Sequence, residues 1–435
     1  MRTHSNTIKA LVIAALALIL LIPAALVQEV VDERSALAEE VQTGLGEQWA
    51  RPQTVVGPYV VVPYSYLSTE TTSSGRKTST RKTGYLHLLP ATLDITSEVQ
   101  PELRARGIFE AVVYQTAVHL AATFSQPNLA SLGISAEDIR WDLASLNLGI
   151  SDNRGLKDGS TLSWNGSALD LVSGVASNNI AEQGVHVPIH FDGALKAEAQ
   201  LNLLGNQSLS FAPTGSTTRV SVKSPWDSPS FSGAFLPEKR EVSATGFSAQ
   251  WSVNHLNRTY PEVLVDGEYQ YEVAQSALGV DLVQTVNHYQ KSHRAGRYAI
   301  LFIGLTFVAF FLMEVLNSLR IHPIQYALVG IALVLFYTLL LAFSEQIGFN
   351  PAYLTAATAT TGLATAYSRA VLRSRTLSIG VGALLSALYL FLFVVIQLED
   401  YALLVGSIGL FAIVGAVMYF SRNINWYGET PEQPN

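Results

Sequence analysis

Glu314 occupies the most demanding position in the sequence. It lies five residues before the end of an apolar run, Tyr298–Leu319, in which no other side chain is charged. A carboxylate at that depth costs a few kcal/mol unless it is paired or hydrated, so it is a candidate for function by default. The turn Arg320-Ile321-His322-Pro323-Ile324-Gln325-Tyr326 follows at once. Two arrangements suit this spacing. Glu314 can form a structural ion pair with Arg320 or His322 near the membrane interface, which is the simpler reading, or it can serve a proton relay or substrate coupling. Glu345, after Ala342-Phe343-Ser344, stands at the far end of the next apolar run, where it can cap or anchor it.

The rest of the chain offers little further chemistry. There is no GxSxG elbow, Walker A loop, GxGxxG or HExxH, and no cysteine, which removes disulfides, thiolate metal sites and cysteine nucleophiles. His186 and His190 lie four apart, but they flank Val187-Pro188-Ile189 in a strand-like stretch without a nearby acidic partner, and read as surface or turn histidines. No catalytic, cofactor or metal set emerges, and the chain reads as a non-enzyme. Carboxylates are plentiful, however, so a site assembled from distant residues stays open.

The elements that must position Glu314 and Glu345 are membrane helices. Ala10–Val27 is an uncharged run of 18 residues, close to the ~20 needed to cross ~30 Å of hydrocarbon. Val30, Val31, Ala36, Leu37 and Val41 continue it as an amphipathic stalk, which favours an uncleaved anchor over a signal peptide. Five further spans are predicted: Tyr298–Leu319, Gln325–Phe343, Pro351–Val371, Leu377–Leu398 and Tyr401–Phe420. Alternating them from an exported start puts Arg320, Arg369, Arg373, Arg375 and Arg422 on the cytoplasmic side, and Glu345, Glu399 and Asp400 outside, as the positive-inside rule requires. Lys291, Arg294 and Arg297 dissent, but they end a long translocated segment, where the rule is weak. The fourth span is rich in Ala, Thr and Gly, which suits close central packing first and a hydrophilic pathway second. Ser421–Tyr427 resembles an interfacial belt with a cationic stop.

Between the first two spans the pattern becomes one of short alternating runs broken by Gly, Pro, Asn and Ser. Val55–Pro63 reads as a strand with edge prolines, and Tyr85–Ile95, Ile108–Phe124 and Ser243–Val253 as further strands. Val185–Phe191, Ala194–Leu204, Ser208–Pro213 and Thr217–Lys223 look like consecutive antiparallel strands, turning at Asp192-Gly193, Gly205-Asn206 and Thr214-Gly215. Leu88-Leu89-Pro90 before Gly107-Ile108, and Phe235-Leu236-Pro237 before Gly246-Phe247, form a weak echo that two related β-halves would explain. Ser68–Gly84 reads as a mobile loop, and Ala274–Gln290 as a second helical stalk. The predicted fold is a membrane protein with six transmembrane helices and a large exported antiparallel β-rich, sandwich-like domain. Its divisions are an anchor (1–27), the exported domain (28–297), a five-helix bundle (298–420) and a cytoplasmic tail (421–435).

Charge agrees with this division. Residues 28–297 carry 20 Lys+Arg against 28 Asp+Glu, and the 138 residues after them only 5 and 6. A mildly acidic domain is a poor nucleic-acid binder, since phosphate backbones demand clustered cations. The one basic cluster, Arg76-Lys77 with Arg81-Lys82, lies in a Ser/Thr-rich stretch and reads as solvated.

Several stretches together resemble the CreD family of bacterial inner-membrane proteins. They are Val56-Gly57-Pro58, Gly184-Val185-His186-Val187-Pro188, Phe235-Leu236-Pro237-Glu238-Lys239-Arg240-Glu241-Val242, Gly246-Phe247 before Gln250-Trp251, Arg320 to Tyr326, Phe336-Tyr337 before Ser344-Glu345, and Arg422-Asn423-Ile424 before Trp426-Tyr427. The resemblance runs nearly end to end; Ser68–Lys82 and the Ala/Thr-rich fourth span lie outside it. It implies a setting more than a reaction: the bacterial inner membrane, both termini cytoplasmic, the large domain periplasmic, a two-component regulatory system, and envelope stress including β-lactam and colicin responses. Positions that match the family pattern and also have physical reasons to matter are Glu314, Arg320, His322, Pro323, Gln325, Tyr326, Glu345, Lys239 and Arg240. The expected partners are the lipid bilayer and an envelope protein or wall component, without nucleic acid or cofactor. The expected role is support of envelope integrity or the stress response by binding through the exported domain. The alternative is a transporter or channel using Glu314 and the polar fourth span. A membrane enzyme acting on lipid or wall precursors is a third.

Overall fold

The structure, a computed structural model, describes residues 3–422 except 72–76, 130–131, 192–194, 284–287, 318 and 399–400. The chain forms two compact units, residues 40–285 and residues 1–39 with 286–435. The Asp192-Gly193 turn, part of the Ser68–Gly84 stretch, Glu399, Asp400 and the tail beyond Arg422 fall outside the described residues.

The helical unit contains α1 (Thr3–Trp49, whose last turns belong to the other unit), α3 (His288–Arg297), α4 (Ala299–Leu316), α5 (Pro323–Ile347), α6 (Phe349–Leu372), α7 (Arg375–Gln397) and α8 (Ala402–Ser421). In apolar runs of this length the helix is the form that satisfies every backbone group internally, and single residues such as Pro23 or Gly304 do not interrupt it. One continuous α1 of 47 residues covers both the expected anchor and its stalk. Among the described residues five helices, α1, α4, α5, α7 and α8, are long and apolar enough to cross a membrane. α6 is as long, but its Ala- and Thr-rich composition makes it less apolar than the apolar runs of these five. It packs against α5 and α7 through Ala352, Tyr353, Ala356, Thr360, Ala364 and Ser368, while Leu354, Thr358, Gly362 and Leu363 face outward. Close packing is therefore confined to one side and α6 is not enclosed at the centre.

The β unit contains β1 (Gln53–Thr71), β2 (Lys77–Leu88), β3 (Thr92–Arg106), β4 (Phe109–Phe124), β5 (Ser145–Ile150), β6 (Thr161–Trp164), β7 (Ser167–Leu169), β8 (Val172–Ser173) and β9 (Gly184–Pro188). It continues with β10 (Leu195–Asn206), β11 (Ser208–Ala212), β12 (Thr217–Ser224), β13 (Pro229–Gly233), β14 (Lys239–Ser243), β15 (Gly246–Asn254), β16 (Val263–Val265), the short α2 (Gln270–Gln275) and β17 (Leu278–Leu282). They form two sheets. The first runs β13-β17-β11-β1-β5-β9-β8, with β2 pairing β1 and β16; the second runs β14-β15-β12-β3-β4-β10-β6-β7. Val60, Leu86, Leu146 and Phe211 of the first sheet meet Leu93, Leu120, Leu201 and Trp251 of the second in one core. The sandwich is mostly antiparallel, with parallel pairs β1–β11 and β3–β12.

Several expectations are corrected. β1 is an interior strand, and Pro58 falls where its register with β5 slips between Val56 and Tyr59, so the ladder loses no bond it would otherwise make. Tyr85–Ile95 is split between β2 and β3 in different sheets, broken at Pro90. The strands β9, β10, β11 and β12 are not sequential neighbours: they alternate between the two sheets. Gly205 and Asn206 extend β10, and the turn is taken by Gln207 at φ 55°. The described residues of Ser68–Gly84 continue the β1–β2 ladder. In place of a helical stalk, Ala274–Gln290 contains the end of α2, the strand β17 and the start of α3. The two halves of the echo lead into hairpins of one and the same sheet, β3–β4 and β14–β15.

Candidate functional site

α4 ends where Asn317 turns back, its Nδ2 donating to the Met313 carbonyl at 2.9 Å. α5 begins with His322 as its N-cap and Pro323 in the first turn. His322 Nδ1 accepts from Ile324 N at 3.3 Å, and Gln325 Oε1 accepts from His322 N at 3.0 Å. His322, Pro323 and Gln325 therefore build a capping box that fixes the tight α4–α5 turn. That turn folds Ile321 and Tyr326 back over Glu314.

Glu314 is buried and fully engaged. Oε1 accepts from Lys9 Nζ and from Ile321 N at 2.9 Å, and Oε2 accepts from Tyr326 Oη at 2.8 Å. Lys9 also donates to the Ile321 carbonyl at 2.7 Å. Phe307 and Phe310 stand edge-on to Tyr326, with ring centroids 5.6 and 6.0 Å away, and close the site on the bundle side. The expected pairing with Arg320 or His322 is corrected. Arg320 is exposed and His322 caps α5, while the cation comes from α1, 305 residues away in sequence. Lys9 had signalled only orientation. The sequence clue to its role is that it opens the first apolar run as Glu314 nears the end of the second, so antiparallel helices bring the two charges to one level.

Glu345 belongs to a second cluster of the same kind. Its Oε1 lies 3.6 Å from Arg34 Nε of α1 and accepts from Tyr289 Oη of α3 at 3.0 Å. Each cluster thus joins one α1 cation, one bundle carboxylate and one tyrosine.

In the β unit the two sheets differ in exposure. Every residue of β5 and of Val55–Val62 of β1 is buried, so the centre of the first sheet is closed on both faces. Ile180, Tyr260, Leu264 and Val273 cover its outer face against Val56, Tyr59 and Val61. The second sheet alternates: Asp94, Thr96, Glu98 and Gln100 of β3, and Lys196, Glu198 and Gln200 of β10, are exposed. Two polar grooves lie on this face. One of about 430 Å³ is lined by Glu98, Gln100, Gln115, Lys157 and Asn202; the other, of about 380 Å³, by Asp94, Arg219, Glu238, Lys239 and Gln250. Lys239 and Arg240 are exposed on β14 and belong to this unit, whereas Glu314, Arg320, His322, Pro323, Gln325, Tyr326 and Glu345 belong to the helical one.

Two buried groups in the β unit have displaced titrations. His87 of β2 is completely buried, its Nε2 3.2 Å from Ser177 Oγ and its ring 6.1 Å from that of Tyr59. Burial pushes its pKa down to about 4, against smaller opposing pulls from the Leu264 backbone and the Asp266 carboxylate. Asp152 is held down to about 2, first by the Arg154 guanidinium and then by the backbone N–H groups of Arg51 and Arg154. Arg154 also donates to the Glu47 carbonyl in the last turn of α1, satisfying one of its open acceptors. Among the described residues no His, Asp and Glu side chains converge as a metal site. His186 Nδ1 lies 2.8 Å from the Gly174 carbonyl oxygen.

A family profile described as "Inner membrane protein CreD" matches residues 5–427. The inner membrane protein CreD of Escherichia coli (strain K12) is 34% identical over 416 residues, covering 94% of this chain and 91% of that protein. The chain belongs to the CreD family of inner membrane proteins.

Proposed function

We propose that this CreD-family chain is a six-span inner-membrane protein whose β unit is exported and binds an envelope component on the free face of its second sheet. The observation that carries the reading is the asymmetry of the sandwich. The central strands of the first sheet, β1 and β5, are covered on both faces; the second keeps an outward face of amides, hydroxyls and mixed charges around two grooves. A surface of that chemistry suits a partner bound by hydrogen bonds, a wall polymer or the polar surface of an envelope protein, and such binding fits a role in envelope integrity or stress.

α6 completes the six spans, because it equals its neighbours in length and packs between α5 and α7. With it included, the arginines of the short turns fall on one side, Glu345 on the other, and both termini in the cytoplasm. The spacing of the two clusters supports this arrangement. Lys9 and Arg34 are 25 residues apart on one helix, roughly 37 Å at 1.5 Å per residue. That exceeds the ~30 Å hydrocarbon thickness by a few ångströms, so each cluster falls at a membrane border.

Photo-crosslinking in intact cells tests the binding face. A reactive residue at Asn202 or Gln250 is expected to capture an envelope component, and one at the exposed Tyr271 on the covering layer is not. Equal capture at all three positions, or a gene deletion that leaves envelope permeability and stress tolerance unchanged, counts against the proposal. Transport through Glu314 and α6 is the weaker reading, because both Glu314 oxygens are already engaged by three donors. Full function in a reconstituted Glu314→Gln variant would remove its main support.

A further inference from the structure

Alternation turns every second residue of β15, β12, β3, β4 and β10 to the open face of the second sheet. Register then aligns Gln250, Ser221, Thr96, His119 and Gln200, one from each of these five neighbouring strands, in a single row. The row contains no carboxylate, ammonium or guanidinium. Ser221 is half-buried and the other four are exposed, and among the described residues none of the five side chains has a hydrogen-bond partner.

The rows on either side differ. One carries Arg219, Asp94 and Glu198, the other Lys223 and Glu98. Asp94 and Arg219 neutralise each other at 3.3 Å, and Glu98 Oε1 accepts from Gln100 Nε2 at 3.0 Å. Charges of both signs thus border a neutral track, which disfavours a polymer of one charge sign and leaves amide and hydroxyl chemistry between them. Both grooves meet this track. The groove of about 380 Å³ contains Gln250, Ser221 and Thr96. The groove of about 430 Å³ contains Ala117, the next residue on the same face after His119, and Asn202. Its wall is the loop carrying Lys157 and Asp158, tied to β10 by Lys157 N donating to the Asn202 carbonyl at 2.9 Å and Asn202 N donating to Ser160 Oγ at 3.1 Å.

We infer that the row is a binding track for a neutral, 1,4-linked glycan chain of about four sugar rings, laid across the strands. The inference rests on the reading that this face binds an envelope component, and names that component's chemistry. Neighbouring strands lie ~4.8 Å apart, so four steps from β15 to β10 span roughly 19 Å. One step is close to the advance per ring of an extended 1,4-linked chain, so each ring in turn meets the side chain of a new strand. Glutamine amides, hydroxyls and an imidazole both donate and accept, as sugar hydroxyl and acetamido groups do. His119 adds a flat ring at the centre, where its neighbours along β4 on the same face, Ala117 and Ala121, carry only methyl groups. An extended peptide is a poorer occupant, because the strands beneath already pair their backbone groups with one another.

Isothermal titration of the full chain in nanodiscs tests the track, with the N-acetylglucosamine hexamer, its dimer and polygalacturonate as probes. The hexamer is expected to bind about tenfold more tightly than the dimer, since only the longer chain reaches all five strands, and polygalacturonate more weakly than the hexamer. His119→Ala, Gln200→Ala and Gln250→Ala should each weaken hexamer binding by about fivefold, the loss of one net hydrogen bond. Tyr271→Ala, at an exposed position covering the first sheet, should not. An unchanged urea midpoint checks the fold of each variant, and three separate positions carry the test if one is unstable. The track is overturned if the hexamer does not bind, if the dimer or polygalacturonate matches it, or if His119→Ala or both end variants bind like the parent. Should the cellular capture at Gln250 persist in any of these cases, the binding face stands and only its glycan ligand falls; should that capture fail as well, both fall.

Discussion

Acidification offers the sharpest test of how the β unit is held together, because His87 must be neutral to fit. An unfolded histidine takes up a proton near pH 6.5, while folded His87 resists protonation until about 4. The folded-state value is depressed for a base, so the unfolded chain binds more protons throughout this interval. Stability is therefore complete above about pH 6.5, falls as the pH drops toward 4, and is flat below in this group's contribution. A displacement of that size corresponds to about 3 kcal/mol in full, of which about 2 kcal/mol is lost between pH 7 and 5. His87 is completely buried, so solvent does not dilute the effect. The assay is urea unfolding of the full chain in detergent at pH 7, 6, 5 and 4.5, followed by tryptophan fluorescence. Five of the six tryptophans, Trp49, Trp141, Trp164, Trp226 and Trp251, lie in the β unit, so the signal reports on it. His87→Gln removes the titration and should flatten the slope between pH 7 and 4.5, at a lower starting stability. Equal slopes in parent and variant would refute the reasoning, since another group would then drive the acid response.

Asp152 should act in a separate window. Its folded pKa is depressed, so its contribution is present above about pH 4 and disappears as the pH falls through about 2. Asp152→Asn should cost about 1–2 kcal/mol at pH 7, allowing for a half-exposed Arg154, and should remove the parent's further loss between pH 4 and 2 in the same unfolding assay. In the helical unit, Lys9→Met and Glu314→Gln should each destabilise, and the double variant should lose less than their sum by ~1 kcal/mol or more. Thermal unfolding in nanodiscs measures the cycle, and strict additivity would show the pair to be uncoupled. Gly184→Ala should destabilise the β unit by about 2 kcal/mol or more by urea unfolding, because its φ is +150° and an added Cβ would stand 2.1 Å from the Leu148 carbonyl oxygen.

What the sequence disclosed depended on how many faces of an element meet water. Apolar runs near 20 residues with at most one charge have one physical reading, and each of the six became a helix. In the second sheet one face is wet, so β10, β12 and β15 alternate and were placed within a few residues. The centre of the first sheet is buried on both faces, so burial along β5 does not alternate. In residue type Ser145–Ile150 does alternate, Leu146, Leu148 and Ile150 against Ser145, Asn147 and Gly149, so its strand signal was there and went unread; β17 places Leu278 and Leu282 four apart, a spacing a helix shares. Register across sheets has no local signature at all, and strands adjacent in sequence were assigned to one ladder when the chain passes each to the opposite sheet.

The site residues follow a similar logic. Glu314 was legible as a buried carboxylate, because one in an apolar run needs donors wherever the chain finds them, whereas Tyr326 was named through the family pattern and not as its donor. The cation was not legible, since proximity in sequence favoured Arg320 and His322, and a tight turn spends His322 on capping α5 instead. Lys9 and Arg34 each sit beyond an end of the uncharged stretch of α1, and Glu314 and Glu345 sit at opposite ends of α4 and α5. Antiparallel packing matches these charges in pairs, cation on α1 and carboxylate on the bundle, with a tyrosine completing each. Removing α1 would strip the countercharge from two buried carboxylates at once, and breaking even one such pair costs about 3–5 kcal/mol when the remaining charge stays buried. α1 is therefore part of the electrostatics that let the bundle carry Glu314 and Glu345, and any account of either glutamate has to include the helix that neutralises both.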